Sequence, residues 1–467
     1  MCKIIGRHRE KKQLQRCLES KRSEFVIITG RRRIGKTFLI NTLYKDKFAF
    51  AFTGGHHLTN TEQLAMFADS LQKVTASPLS LKLKNWFEAF KQLENYIEAL
   101  PNGKKIIFFD EMPWIDNHRS NFTKALEYFW NAWAAQRNDI MFIASGSATS
   151  WMNDNLLQNQ GGLHGRITCN ICLEPFTLKE TEEYFEVNNF NWSRYTIIQA
   201  YMVMGGVPFY LSLLDNSLSL AQNIDALCFS NGGMLRIEFD ELFNTLFVNA
   251  DKYICVAKAL SEKVSGLTRQ EISEISEIQG STLTRILSNL EKCSFIIGYT
   301  QYGKKTKDII YRLSDFYTLF YFRYIESKDI KDRSYWSHIL QTPGIYSWQG
   351  YTFELICLMH LEEIKKALGI SGIATKSTTW RNSEAQIDLI IERADRIINL
   401  CEIKFSVEEY SISKDYADRL RKRMALFRVA VKSNKSLVNT FITTYGLVKN
   451  KYSSICQNEI TMDALFE

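Results

Sequence analysis

Eight residues near the amino terminus, Gly30-Arg31-Arg32-Arg33-Ile34-Gly35-Lys36-Thr37, follow the pattern GxxxxGK[ST]. They come after an apolar run, 25–29, and before a helical stretch opening at Phe38. Glycines let backbone N–H groups wrap an anion, and the helix N-terminus aims its dipole at the same point. The chemistry is phosphate binding, with a nucleoside triphosphate, ATP with Mg²⁺, as the ligand. Lys36 reaches the β- and γ-phosphates and the Thr37 hydroxyl ligates the metal. Arg31, Arg32 and Arg33 either add charge at the mouth of the loop or face solvent.

Two further constellations bear chemistry. In Lys105-Ile-Ile-Phe-Phe-Asp110-Glu111, four apolar residues feed two carboxylates at the end of a buried strand. Asp110 there holds the Mg²⁺ water shell, while Glu111 polarises the attacking water. Ser147, after the run 140–144, reads as a γ-phosphate sensor or as part of a plain turn. Arg166 reads as an arginine finger, in cis or from a neighbouring subunit, or as a structural ion-pair partner. Near the carboxy terminus, Asp388 lies in one strand-like run and Glu402 and Lys404 in the next. Alternation sets Glu402 and Lys404 on one face, and two antiparallel neighbours bring Asp388 to them. Such carboxylates would bind Mg²⁺ or Mn²⁺, with Lys404 orienting or deprotonating a water that attacks a phosphodiester. Glu354, in a helix upstream, adds a further acidic group.

The elements that must position these residues divide the chain. The first part alternates short apolar runs (25–29, 48–52, 106–109 and 140–144) with longer helical stretches, the pattern of a parallel α/β sheet. From residue 177 to about 242 the pattern is helical, broken at Gly205-Gly206-Val207-Pro208. Residues 251–295 carry three short helical blocks, followed by β-like runs at 295–300 and 309–313, a winged-helix arrangement. In its third helix Leu283, Ile286, Leu287 and Leu290 form one apolar stripe. Lys304, Lys305 and Lys307 in the wing would contact phosphates, whereas Glu271, Glu274 and Glu277 make the preceding helix acidic. DNA binding and internal packing both fit this module. A helix at 316–325 serves as a connector. A mixed α/β region follows, with a helix at 349–368, strands at 387–392 and 397–404, a helix at 414–424 and a strand at 426–431.

Composition narrows the class. The 467 residues, with 45% apolar and 23% charged residues, suit about two to four globular domains. No apolar run approaches the ~18 residues needed to cross a bilayer, and the charged amino terminus lacks a signal-peptide core. Transport is thereby disfavoured, as is a motor role by the lack of helicase motifs. A net charge of +7 permits an acidic partner such as DNA without requiring one. Ten scattered cysteines, with Cys169 and Cys172 the one close pair, read as buried thiols in a reducing cytoplasm.

Taken in order, Ile5-Gly6-Arg7 with Glu10, GRRRIGKT, FFDEMPWID, SGSATSWM, GLHGRI, LEPFTL and GGVPFYL resemble the prokaryotic AAA-type ATPase family common in archaea and Bacteroidetes. That family is similar to the STAND branch, in which a nucleotide switch is joined to a winged helix. The resemblance covers roughly residues 1–330 and implies that Gly6 and Arg7 lie by the adenine. The D…ExK pattern of Asp388, Glu402 and Lys404, with the run from Trp348 to Glu354, resembles the PD-(D/E)XK nuclease superfamily. The implied fold class is α/β: a P-loop NTPase parallel sheet with a helical lid, a winged helix and a restriction-endonuclease-like α/β domain. The expected bounds are 1–175, 176–245, 246–328 and 329–467. The implied function is an ATP-driven switch on a metal-dependent DNA nuclease, or a scaffolding ATPase that binds DNA or protein without cutting, as a homo-oligomer or with a protein partner.

Overall fold

The computed structural model describes residues 3–76, 81–117, 119–147, 149–157, 161–263, 265–304, 309–326, 332–432 and 434–467. The chain forms two compact units, Met1–Glu174 with Lys292–Ser294, and Pro175–Glu291 with Phe295–Glu467.

The first unit is built on five strands, β1 Glu24–Thr29, β2 Phe48–Thr53, β3 Lys105–Asp110, β4 Ile140–Ser145 and β5 Cys169–Cys172. All pair in parallel, in the order β2-β3-β4-β1-β5. Every position of β1, β3 and β4 is buried, which is why these strands read as continuous apolar runs. The helices are α1 His8–Glu19, α2 Lys36–Tyr44, α3 Asn60–Thr75, α4 Trp86–Glu98, α5 Phe122–Ala132 and the short α6 Thr149–Met152. Alternation divides the side chains of the sheet between two cores. Phe25, Phe109 and Phe142 join Phe67, Trp86, Phe90 and Phe129 in an aromatic cluster. Val26, Ile28, Ile106 and Ile143 join Leu39 and Ile40 of α2 in an aliphatic one. At about 1.5–3 kcal/mol for each fully buried large side chain, these two faces hold the sheet rigid beneath its C-terminal edge. Because β4 lies between β1 and β3, that edge sets Gly30, Ser145 and Asp110 in one row.

The second unit contains α7 Leu178–Val187, α8 Arg194–Met204, α9 Pro208–Leu211, α10 Leu220–Ile224 and α11 Met234–Leu246. Gly205, in the left-handed region at φ 61°, ends α8, and Pro208 opens α9, as the breaker cluster predicts. Next come α12 Ala250–Glu262, β6 Leu267–Thr268, α13 Arg269–Ser276, α14 Gly280–Lys292, β7 Ile296–Thr300 and β8 Ile309–Leu313. The three strands form an antiparallel sheet in the order β6-β8-β7. Beyond α15 Phe316–Phe320 and α16 Tyr335–Ile339 lie α17 Pro343–Met359, α18 Leu361–Ala367, β9 Thr375–Arg381, β10 Gln386–Arg393, β11 Ile397–Lys404, α19 Lys414–Val431, β12 Ser436–Thr443 and β13 Asn458–Thr461. Their sheet, β13-β12-β11-β10-β9, is antiparallel from β9 to β11 and parallel from β11 to β13.

Several expectations are corrected. Residues 426–431 are not a strand but the last turns of α19, where Ala417, Leu420 and Phe427 form the buried stripe and Val429 stays 75% exposed. The expected helix at 349–368 begins earlier and breaks at His360 into α17 and α18. Strands β9, β12 and β13 escaped the sequence reading, β9 because it is mostly polar and only partly buried. Cys172 is exposed rather than buried, and the Cys169 thiol hydrogen-bonds that of Cys17 in α1. Lys305 and Lys307 lie outside the described residues.

Candidate nucleotide site and carboxylate cluster

The phosphate loop bridges β1 and α2 on backbone that few side chains tolerate. Gly30 has φ 133° and Gly35 φ 86°, and Arg33 between them has φ 76°. A Cβ on Gly30 would fall 2.3 Å from the Leu173 carbonyl oxygen and 2.5 Å from Ile34 Cδ1. Ile34 itself anchors the loop in the aliphatic core. Lys36 is buried, and its ammonium donates to the carbonyls of Gly30 and Arg31, both at 2.9 Å, and to Ser147 Oγ at 3.0 Å. Burial pushes its pKa down, against the pull of the Glu111 and Asp110 carboxylates.

Asp110 ends β3 beside this loop. Its Oδ2 accepts from Thr37 Oγ1 at 2.7 Å, and its Oδ1 accepts from the Ser145 hydroxyl and, at 3.1 Å, from the Glu111 N–H. Glu111 sits in the left-handed region at φ 46°. Its carboxylate accepts from Ser147 Oγ at 2.6 Å and from the Ser147 N–H at 3.0 Å. Lys36, Ser147 and Glu111 therefore form one hydrogen-bonded chain, with the Thr37–Asp110 pair beside it. Two hard oxygen donors, a hydroxyl and a carboxylate, in direct contact fit Mg²⁺.

The other predicted residues fall as follows. Arg31 is buried rather than facing solvent, while Arg32 and Arg33 are half-buried. Phe38 points outward, 48% exposed. Gly6 and Arg7 both have positive φ, and the buried Arg7 guanidinium donates to the Glu174 carbonyl at 2.7 Å and, more weakly, to that of Ile34 at 3.5 Å. The amino terminus is thereby tied to the phosphate loop. Arg166 is exposed in the turn before β5 and is not joined to the Lys36–Ser147–Glu111 chain. Ser145 was missed as a partner of Asp110, because the adjacency of β3 and β4 is a property of strand order.

In the second unit, Leu389 of β10 pairs with Cys401 of β11, so the next step of the register sets Asp388 beside Glu402. Glu402 is buried and already engaged. Arg423 of α19 reaches its carboxylate at 2.6 Å and Lys404 at 2.8 Å, and the Tyr416 hydroxyl donates to it as well. Burial raises the pKa of Glu402, but Arg423 and Lys404 outweigh it and hold the group below its usual value. Asp388 accepts from the Gln386 amide. Glu354, on α17, is pushed up to about 8 by burial and then by Asp388. Among the described residues no three His, Cys, Asp or Glu side chains form a group able to hold a metal ion. The expected metal set of Glu354, Asp388 and Glu402 is thus corrected: as arranged, it does not fit a metal, because the chain's own cations and a phenol take the Glu402 oxygens. Arg423, Tyr416 and Arg312, which also enters this cluster, are site neighbours that carry no local sequence signal.

A P-loop between β1 and α2, carboxylates at the end of β3 and a polar residue beyond β4 are the arrangement of a P-loop NTPase core. Residues 5–214 match a family described as an ATPase domain predominantly from Archaea. An uncharacterised protein of Methanocaldococcus jannaschii is 26% identical over 426 residues, 90% of this chain and 91% of the relative. Among solved structures, the Walker-type ATPase of Pyrococcus abyssi shares the fold with TM-score 0.50 at 20% identity, over 68% of this chain and 96% of its own. The Aeropyrum pernix ORC2 protein aligns with TM-score 0.40 at 16% identity, over 67% of this chain and 90% of its own. No helix among the described residues is long and apolar enough to cross a membrane.

Proposed function

We propose that the chain is an AAA/STAND-type switch that binds and hydrolyses ATP at Gly30–Thr37 and couples turnover to a nuclease-like carboxy-terminal domain. The observation that carries the reading is the hydrogen-bonded chain from Lys36 through Ser147 to Glu111 beside the Thr37–Asp110 pair. In it Lys36 holds the β- and γ-phosphates, Glu111 orients the attacking water, and Ser147 reports the γ-phosphate to both. Mg²⁺, held by Thr37 and through water by Asp110, would offset phosphate charge. Gly6 and Arg7 lie by the adenine, and Arg166, being exposed, acts across a subunit interface.

Three helices with a three-stranded antiparallel sheet support a winged helix at 246–328, after a helical lid at 176–245. Its role is internal packing rather than DNA binding. This is supported by the Tyr302 N–H, which donates to the Thr379 carbonyl at 2.7 Å. The succession of α17, three antiparallel strands, α19 and the parallel β12 supports a restriction-endonuclease-like domain at 329–467 acting on DNA. Exposed Lys414, Arg419, Arg421, Lys422 and Arg428 on α19 suit a phosphate backbone. A second reading, a scaffolding ATPase that binds DNA or protein without cutting, is favoured by the engagement of Glu402 with Arg423, Lys404 and Tyr416.

Incubation with plasmid and single-stranded DNA, with Mg²⁺ or Mn²⁺ and with or without ATP, separates the two. The first reading predicts cleavage that disappears in Lys404→Ala. Binding without cleavage supports the second, and cleavage that survives in Lys404→Ala belongs to a contaminant.

A further inference from the structure

The second unit holds a cavity of about 400 Å³ that neither candidate site uses. Its size falls in the ~300–1,000 Å³ range of small-ligand pockets. The floor is apolar, with Met202 of α8, Ile224 of α10, Trp336 of α16 and Trp348 of α17 all buried. Toward solvent, Tyr346 of α17 is 52% exposed and Val407, beyond β11, 66%. Tyr195 of α8 also lines the cavity. Its ring lies nearly parallel to Phe405 (5.0 Å, 12°) and to Tyr445 (5.9 Å, 18°), a run of stacked rings that reaches the surface.

One polar group of this lining is unmatched. Gln349 of α17 is 7% exposed, and its side-chain amide has no hydrogen-bond partner among the described residues. A buried amide left without partners is costly, so it marks a place where a ligand can supply a donor and an acceptor. Gln199 and Gln341 bring two further amides, and no charged side chain lines the cavity among the described residues.

These features select the ligand. Aromatic walls suit a planar ring, the amide suits an edge that carries a donor beside an acceptor, and the lack of charge suits a neutral group. A nucleobase has all three properties, whereas an apolar peptide side chain would leave Gln349 unmatched. Single strands are commonly bound by stacking bases on aromatic side chains and hydrogen-bonding their edges. Val407 follows Lys404 by three residues, so their Cα atoms lie within about 11 Å of each other.

We propose that this cavity takes an unpaired base of a single DNA strand, stacked against the aromatic lining and held at its edge by Gln349. The inference rests on the reading of the carboxy-terminal domain as one that acts on DNA, and it requires no metal at the acidic cluster.

The test is fluorescence anisotropy of a short labelled single DNA strand with the full-length chain, beside an abasic strand of equal length and charge. Wild type is expected to bind the base-bearing strand at least tenfold more tightly. Gln349→Leu keeps the volume and removes the amide, and Tyr346→Ala removes a ring from an exposed position. Each should lose most of that margin and leave affinity for the abasic strand unchanged, and Tyr346→Ala decides the matter if Gln349→Leu does not fold. Equal affinity for the two strands, or a margin that both variants retain, would overturn the pocket. Either result would return it to a peptide side chain or to packing and leave phosphate-directed DNA binding standing. No binding of either strand by wild type would overturn both readings.

Discussion

Around the phosphate loop, residues sit where the backbone is least comfortable. Arg7, Arg33 and Glu111 all have left-handed φ values without being glycine, each a strain of about 1–3 kcal/mol that surrounding contacts must offset. Gly30 is the position with no freedom at all, since its φ of 133° and the Leu173 carbonyl together exclude a methyl group. Gly30→Ala should lower the melting temperature and weaken ATP binding at least tenfold, read by thermal unfolding and by titration of a fluorescent ATP analogue. Wild-type binding in that variant would refute the geometry of the loop. Lys36, Thr37, Asp110 and Glu111 were legible in the sequence because they lie in contiguous motifs, the first two opening α2 and the last two at the end of β3. The partners of Glu402 were not. Arg423 and Tyr416 reach it from a helix whose charged surface pattern resembles any solvated face, and Arg312 enters the same cluster from a hairpin far off in sequence.

Among the elements, β4 does the most to assemble the nucleotide site, since its insertion between β1 and β3 delivers Ser145 to Asp110 and Ser147 to both Lys36 and Glu111. The strands of this sheet were readable as apolar runs, but their order was not, because pairing between buried parallel strands leaves no periodic trace. The break between α17 and α18 has a titratable centre. His360 Nε2 accepts from the Leu178 N–H at 3.1 Å, so the proton rests on Nδ1, which donates to the Ile356 carbonyl at 2.8 Å. Burial holds the ring below its usual pKa of about 6.5. A depressed pKa means that the stability the neutral ring contributes is present above about pH 6.5 and is lost as the pH falls below it. The melting temperature should therefore drop between pH 7.5 and 5.5, and less steeply in His360→Gln, whose amide oxygen can still accept from Leu178. Parallel pH profiles would remove His360 from the account. Helix α19 shows the opposite failure of legibility. Its last turns, Leu426 to Val431, hold the β-branched and aromatic residues of a strand, yet Phe427 continues the buried stripe of Ala417 and Leu420, and burial decides.

At the scale of the whole molecule, the chain joins a unit with the fold of a P-loop NTPase to a second unit with two sheets, bridged to each other at Gln301 and Thr379. The first half was legible because its chemistry lies in contiguous motifs on a regular alternation of strand and helix. The second was legible in its architecture but not in its contacts, where long-range ion pairs decide what the carboxylates can do. The central claim is that Gly30–Thr37 and Glu111 form a hydrolytic site, and single-turnover ATP hydrolysis measured beside equilibrium ATP binding in Glu111→Gln tests it most directly. The account predicts binding close to wild type with hydrolysis reduced roughly 10²–10⁴-fold, and wild-type turnover in that variant would contradict it.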